Sequence, residues 1–161
     1  HRLMLKYYQN IIPAEKKYYL APFSLKKGAN LYGLIFGSGN ELGIEKFLSS
    51  CWKLDPERGE ANFDIDKDNI RPGQYNLFTS ELPKPKKVNL FETELSDGIL
   101  QRRLKTDKDI YLFTITSGFV LSHARQVIKK LVAQKKITTN KLELSHKICK
   151  QNASLTEIKI L

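Results

Sequence analysis

The residues most able to do chemistry crowd into positions 122–141. His123, Arg125, Gln126, Lys129, Lys130, Lys135, Lys136 and Lys141 stand there with no Asp or Glu between Ser122 and Lys141. Ala124, Val127, Ile128, Leu131 and Val132 alternate with them at three- and four-residue spacing, which predicts a helix with one apolar face. Ser122 is placed to accept a hydrogen bond from the first-turn amides and so to start that helix. Lys and Arg neutralise phosphates, while imidazole and amide groups can meet base edges. His123, Gln126 and Lys130 are expected to form a base-facing stripe, with Arg125 and Lys129 on a neighbouring stripe suited to phosphates. Lys135, Lys136 and Lys141 follow the helix and would add phosphate contacts. The competing use of such a face is plain solvation, since lysine-rich surfaces keep proteins apart.

Other chemistries fit less well. The Gly37–Gly43 stretch, GSGNELG, follows a strand-like run and precedes a helical one. A dinucleotide fingerprint needs two residues between its second and third glycines, and three stand between Gly39 and Gly43. No Gly-Lys-Ser/Thr follows, so the stretch reads as a strand-to-helix turn. His123 and His146 accompany no nucleophile motif. Asp64, Asp66 and Asp68 would share a face on a strand and could hold a divalent cation, but no glycine or distal Glu completes an EF-hand pattern. Cys51 and Cys149 lie far apart and form no metal-type or redox-type pair. No catalytic residue and no metal ligand is assigned, and no cofactor-binding residue is identified. Trp52 reads as core.

The elements that must position the basic helix follow from periodicity. The chain has 161 residues and a net charge of +10. Residues 1–80 hold 11 Lys/Arg against 9 Asp/Glu, and residues 81–161 hold 16 against 8. The basic excess therefore belongs to the second half, which favours a polyanion as its partner. Arg2–Tyr8 reads as the end of a helix. Lys17–Phe23 and Leu31–Ser38 read as an antiparallel hairpin around the spacer at 26–30. Ile44–Leu54 reads as a helix burying Ile44, Phe47, Leu48, Cys51 and Trp52 and stopped at Asp55-Pro56. Residues 56–88, rich in Pro and Gly, read as a connecting segment.

In 89–161 the expected order is helix, helix, helix, hairpin, which is that of a winged helix. Asn89 with Glu92 looks like a capping box for the first helix. Asp107 or Asp109 would cap the second, over Ile110–Thr116. That segment is ambiguous, because Ile110, Thr114, Ile115 and Thr116 are β-branched and suit a strand. The idea requires it to be helical. Ile137-Thr138, Lys141–Leu144 and Ile158–Leu161 alternate as strands do, with Thr139-Asn140 as a turn.

Three groups of residues carry a resemblance: LYGLIFGSGNELG at 31–43, CWKLD at 51–55, and TSGF at 116–119 with Ser122-His123 and IKKL at 128–131. On these the chain resembles the C-terminal region of the bacterial three-Cys-motif partner proteins. The resemblance implies an α/β fold. Residues 1–55 would be the terminal part of a Rossmann-like, methyltransferase-like domain (hairpin plus helix), 56–88 a connecting segment, and 89–161 a winged helix-turn-helix domain. It further implies that a methyltransferase-like region, with any S-adenosylmethionine site, lies upstream of His1, and that this chain alone is not catalytic. The expected partner is nucleic acid, in particular double-stranded DNA. The alternatives are an adaptor docking the neighbouring three-Cys protein, or an enzyme subunit whose cofactor site spans two chains. No apolar run is long enough to span a bilayer, no membrane partner is expected, and the cytoplasm is the expected location.

Overall fold

The computed structural model describes residues 2–13, 15–27, 30–54, 87–139 and 142–161. Helix α1 (Arg2–Ile11) leads into strands β1 (Tyr19–Lys27) and β2 (Asn30–Ser38), then helix α2 (Glu41–Leu54). The two strands pair antiparallel from Tyr19 opposite Ser38 to Lys27 opposite Asn30. The hairpin expected around residues 26–30 is present, and its strands run closer to the loop than their patterning indicated.

Gly37 and Gly43, on either side of the β2–α2 turn, lie where packing is close. A Cβ on Gly37 would stand 2.6 Å from the Tyr18 ring, and one on Gly43 would stand 2.5 Å from Ser38 Oγ. Asn40 caps α2 by accepting the Leu42 amide on Oδ1 at 2.8 Å. Along α2, Ile44, Leu48, Cys51 and Trp52 are buried, as their spacing indicated.

The second half holds α3 (Lys87–Leu100), α4 (Asp107–Thr116), α5 (Leu121–Ala133), β3 (Ile137–Thr139), a 3₁₀ turn (His146–Cys149) and β4 (Ile158–Ile160). Asn89 lies inside α3 rather than capping it, and accepts from Thr93 Oγ1 through its carbonyl. Phe91, Leu95 and Ile99 bury one face of α3.

Helix α4 settles the ambiguous segment. Thr106 is its cap, accepting from the Asp109 amide, while Asp109 Oδ2 accepts from the Thr106 amide at 2.9 Å. This reciprocal pair outweighs the β-preference of the residues that follow. Two of those residues also satisfy their own hydroxyls within the helix: Thr114 donates to the Ile110 carbonyl and Thr116 to that of Leu112, each at 2.7 Å. Ile110 and Ile115 bury against the core.

The end of the chain departs from expectation. Residues 142–144 are not a strand, and β3 pairs instead with β4, Ile137 opposite Ile160. The connection between them carries the 3₁₀ turn, whose Ile148 is buried. Thr106 bridges Glu157, and the Ile158 amide donates to the Lys105 carbonyl. The stretch before α4 thus lies against the strand at the chain end, as a third rung beside the β3–β4 pair.

All strand pairs among the described residues are antiparallel and form two two-stranded sheets. One apolar core runs through both halves. It joins Ala21, Ile44, Leu48 and Trp52 to Phe91, Leu95, Tyr111, Phe119, Val127 and Ile148. Trp52 fastens the two halves, donating from Nε1 to the Gly118 carbonyl at 3.0 Å.

Candidate nucleic-acid interface

Helix α5 follows α4 across a tight turn. Gly118 takes a positive φ of 85° there, which an L side chain rarely adopts, so the Ser117-Gly118 break is a backbone requirement. The residue preceding α5 is Val120, with no side-chain cap. Ser122 therefore stands in the first turn and is exposed, not the cap its hydroxyl suggested.

Leu121, Ala124, Val127, Ile128 and Leu131 are buried, so the apolar face is the one expected apart from Val132, which is 43% exposed. The outward face is drawn differently. Ser122, Gln126, Lys129 and Ala133 are all exposed and succeed one another at four- and three-residue spacing. Arg125 and Lys130 flank this line.

His123 does not belong to it. Its ring lies 4.4 Å from the Trp52 ring and 5.7 Å from that of Phe119, both edge-on. Its Nδ1 is buried without a hydrogen-bond partner. Burial lowers its pKa below the ordinary histidine value, against a smaller opposing pull from Glu92. The ring is a packing element of the α2–α5 joint. The reason is geometric: position 123 flanks the buried arc, and Trp52 reaches over to cover it.

Two of the expected cations are already engaged. Lys130 Nζ pairs with Glu92 Oε2 on α3 at 2.6 Å. Arg125 Nη2 donates to the Leu144 carbonyl at 3.0 Å, which ties α5 to the β3–β4 connection. Lys129, Lys135 and Lys136 are exposed and take part in no ion pair among the described residues. Lys135 sits at the helix end with φ of 54°. Lys141 lies outside the described residues, as do Asp64, Asp66 and Asp68. Among the described residues no cluster of His, Cys, Asp or Glu could hold a metal ion.

Sequence reasoning missed a second set of polar residues. An open cleft of about 350 Å³ lies where α2 meets the start of α5, its polar wall made by Glu45, Ser49 and Lys53 from α2 and Ser122 and Arg125 from α5, and its apolar wall by Trp52, Ile115 and residues 119–121. Glu45 accepts from the Tyr111 hydroxyl at 3.0 Å. The period of α2 carried a signal for this, since Glu45, Ser49 and Lys53 follow one another at four-residue spacing and share one side of the helix. What the sequence lacked was the contact between α2 and α5.

A further polar cluster joins β1 to α2. Glu41 accepts from the Tyr19 hydroxyl at 2.7 Å and pairs with Lys17 at 2.6 Å. These partners hold its carboxyl below the usual range although burial pushes the other way. The Cys149 thiol is pushed up to about 11 by burial and by Glu41. A thiol so raised stays protonated at neutral pH.

Three helices, a tight turn between the last two, and a small antiparallel sheet that closes over them are now in place. Residues 64–141 match the family model of the GMT-like wHTH domain. The second half of the chain holds a winged helix-turn-helix region. Helices α3, α4 and α5 and strand β3 lie within the matched residues, and β4, which pairs with β3, lies beyond them. No curated protein and no solved structure matches the chain. A winged helix-turn-helix points to nucleic-acid binding as the class of function. No described helix is long and apolar enough to cross a membrane.

Proposed function

We propose that the chain binds double-stranded DNA through the outward line of α5, with Gln126 reading base edges and Lys129, Lys135 and Lys136 meeting phosphates. The observation that carries this is the exposed, acid-free face of the third helix of a winged helix, set behind the Ser117-Gly118 turn. An α-helix fits the major groove, and amide side chains are suited to adenine there. Arg125 holds the connection to β4 through Leu144, so its contribution includes placing that segment.

In this reading the chain is the C-terminal region of a three-Cys-motif partner-like protein, and it brings a methyltransferase-like region to DNA. The hairpin and α2 are then the last part of a Rossmann-like sheet. Edge chemistry supports that. β1 carries Pro22, Lys26 and Lys27, which discourage further pairing, whereas β2 (NLYGLIFGS) carries no charge and no proline. The exposed Leu3, Met4, Tyr7, Tyr8 and Ile11 of α1 add an apolar surface beside the same hairpin. Any S-adenosylmethionine site belongs to the methyltransferase-like region. In this chain Gly37 and Gly43 lie close against the Tyr18 and Ser38 side chains.

Charge reversal on the outward line tests the proposal. Gln126→Glu with Lys129→Glu should weaken duplex binding at least about tenfold and lessen its salt dependence. Unchanged binding by this variant would remove α5 from the interface.

A further inference from the structure

We infer that the nucleic acid held by α5 also rests on α2, with Ser49 and Lys53 joining Ser122 and Arg125 to receive a backbone phosphate in the cleft between the two helices. This rests on the reading of α5 as the DNA-binding helix and extends it into residues outside the matched winged-helix region.

The cleft sits at the start of α5, the end of a recognition helix that comes nearest the groove in helix-turn-helix complexes. Ser122 and Arg125 belong both to the exposed surface of α5 and to the cleft wall, so a strand lying along the first must pass the second. On the opposite wall Lys53 is exposed in the last turn of α2, and Ser49 stands one turn before it. Two cations and two hydroxyls suit a phosphodiester, which offers one negative charge and acceptor oxygens. The single carboxylate in the wall, Glu45, keeps its charge while accepting from the Tyr111 hydroxyl, so Lys53 and Arg125 leave the wall one net positive charge. Arg125 spends one donor on Leu144, and the guanidinium fork has others.

The relative placement of the walls is fixed. Trp52, next to Lys53, is buried, donates to Gly118 just before α5, and packs on Phe119 and His123. The cleft is therefore held by the core. Lys46, exposed two turns before Lys53 on α2, extends the same basic surface.

The test compares five versions of the 161-residue chain on one random-sequence duplex across a salt series: wild type, Lys53→Glu, Lys53→Gln, Lys129→Glu and Lys6→Glu. Lys6 is exposed on α1, which packs on β1, so its variant carries the same charge change away from α5. Lys53→Glu should weaken binding roughly five-fold or more at low salt and reduce the slope of log K against log salt by about 0.9, as loss of one phosphate contact requires. Lys6→Glu should change neither by a comparable amount. Lys53→Gln, which leaves α2 undisturbed, should show the same direction with a smaller loss. If Lys53→Glu behaves as Lys6→Glu does while Lys129→Glu weakens binding, α2 lies outside the interface and this inference fails with the role of α5 intact. If the wild-type chain shows no salt-dependent duplex affinity, the reading of α5 fails and the inference fails with it.

Discussion

His123 is held neutral by its surroundings. Its ring is enclosed by Trp52 and Phe119 and its pKa is lowered by burial. The unfolded chain therefore binds a proton here more readily than the folded one. Stability should be fully present above the ordinary histidine value of about 6.5 and should fall as pH drops below it. Urea unfolding at pH 7.5 and 5.5 measures this, and His123→Phe should flatten that part of the profile. The thiols give a second expectation at this scale. Cys149 is pushed up to about 11 and Cys51 is raised by burial, so iodoacetamide at pH 8 should label both far more slowly in the folded chain than in urea. Rapid labelling of Cys149 in the folded chain would contradict its placement. The apolar positions of α5 were legible from spacing alone. The role of His123 was not, because a helical wheel shows which residues flank the buried arc but not what arrives from elsewhere to cover them. Trp52, distant in sequence, is what arrives.

Among the elements, α4 depends most on local chemistry. Its interior is rich in β-branched residues, and its start is fixed by the Thr106–Asp109 capping box. Thr106→Ala should cost about 1 kcal/mol, read as a lower urea midpoint at unchanged slope. A neutral outcome would mean that burial of Ile110 and Ile115 alone holds the helix. Periodicity gave α2, α3, α5 and the hairpin within a few residues. Three expected caps fell elsewhere: Ser122 and Asn89 lie inside their helices, and Thr106 rather than Asp107 or Asp109 caps α4, with Asp109 as the return partner of the capping box. Capping chemistry marks candidates, and packing chooses among them. For α5 the chosen start is Val120-Leu121, because Leu121 must bury. The return strand expected at Lys141–Leu144 is not formed over its described residues, 142–144, for a related reason. Alternation marks a half-buried segment, yet Leu144 buries in an irregular connection while β3 finds its partner at the chain end.

At the scale of the whole molecule, one core spans the hairpin–α2 half and the winged helix. The chain has a single tryptophan, and it sits at the joint between them. Fluorescence of Trp52 and far-UV circular dichroism should therefore follow one coincident unfolding transition. Separate transitions would show that the halves fold independently. The basic excess of the second half was legible in the sequence, as was the succession of three helices before the paired strands. The α2–α5 cleft was not, since it exists only once the two helices are packed. The central claim is that α5 presents its outward line to DNA. It is tested most directly by the salt dependence of duplex binding, compared between the wild-type chain and the Gln126→Glu, Lys129→Glu variant. The wild-type log K should fall linearly with log salt, and the variant should bind at least about tenfold more weakly with a shallower slope. A wild-type chain without salt-dependent affinity, or a variant that binds as the wild type does, would contradict it.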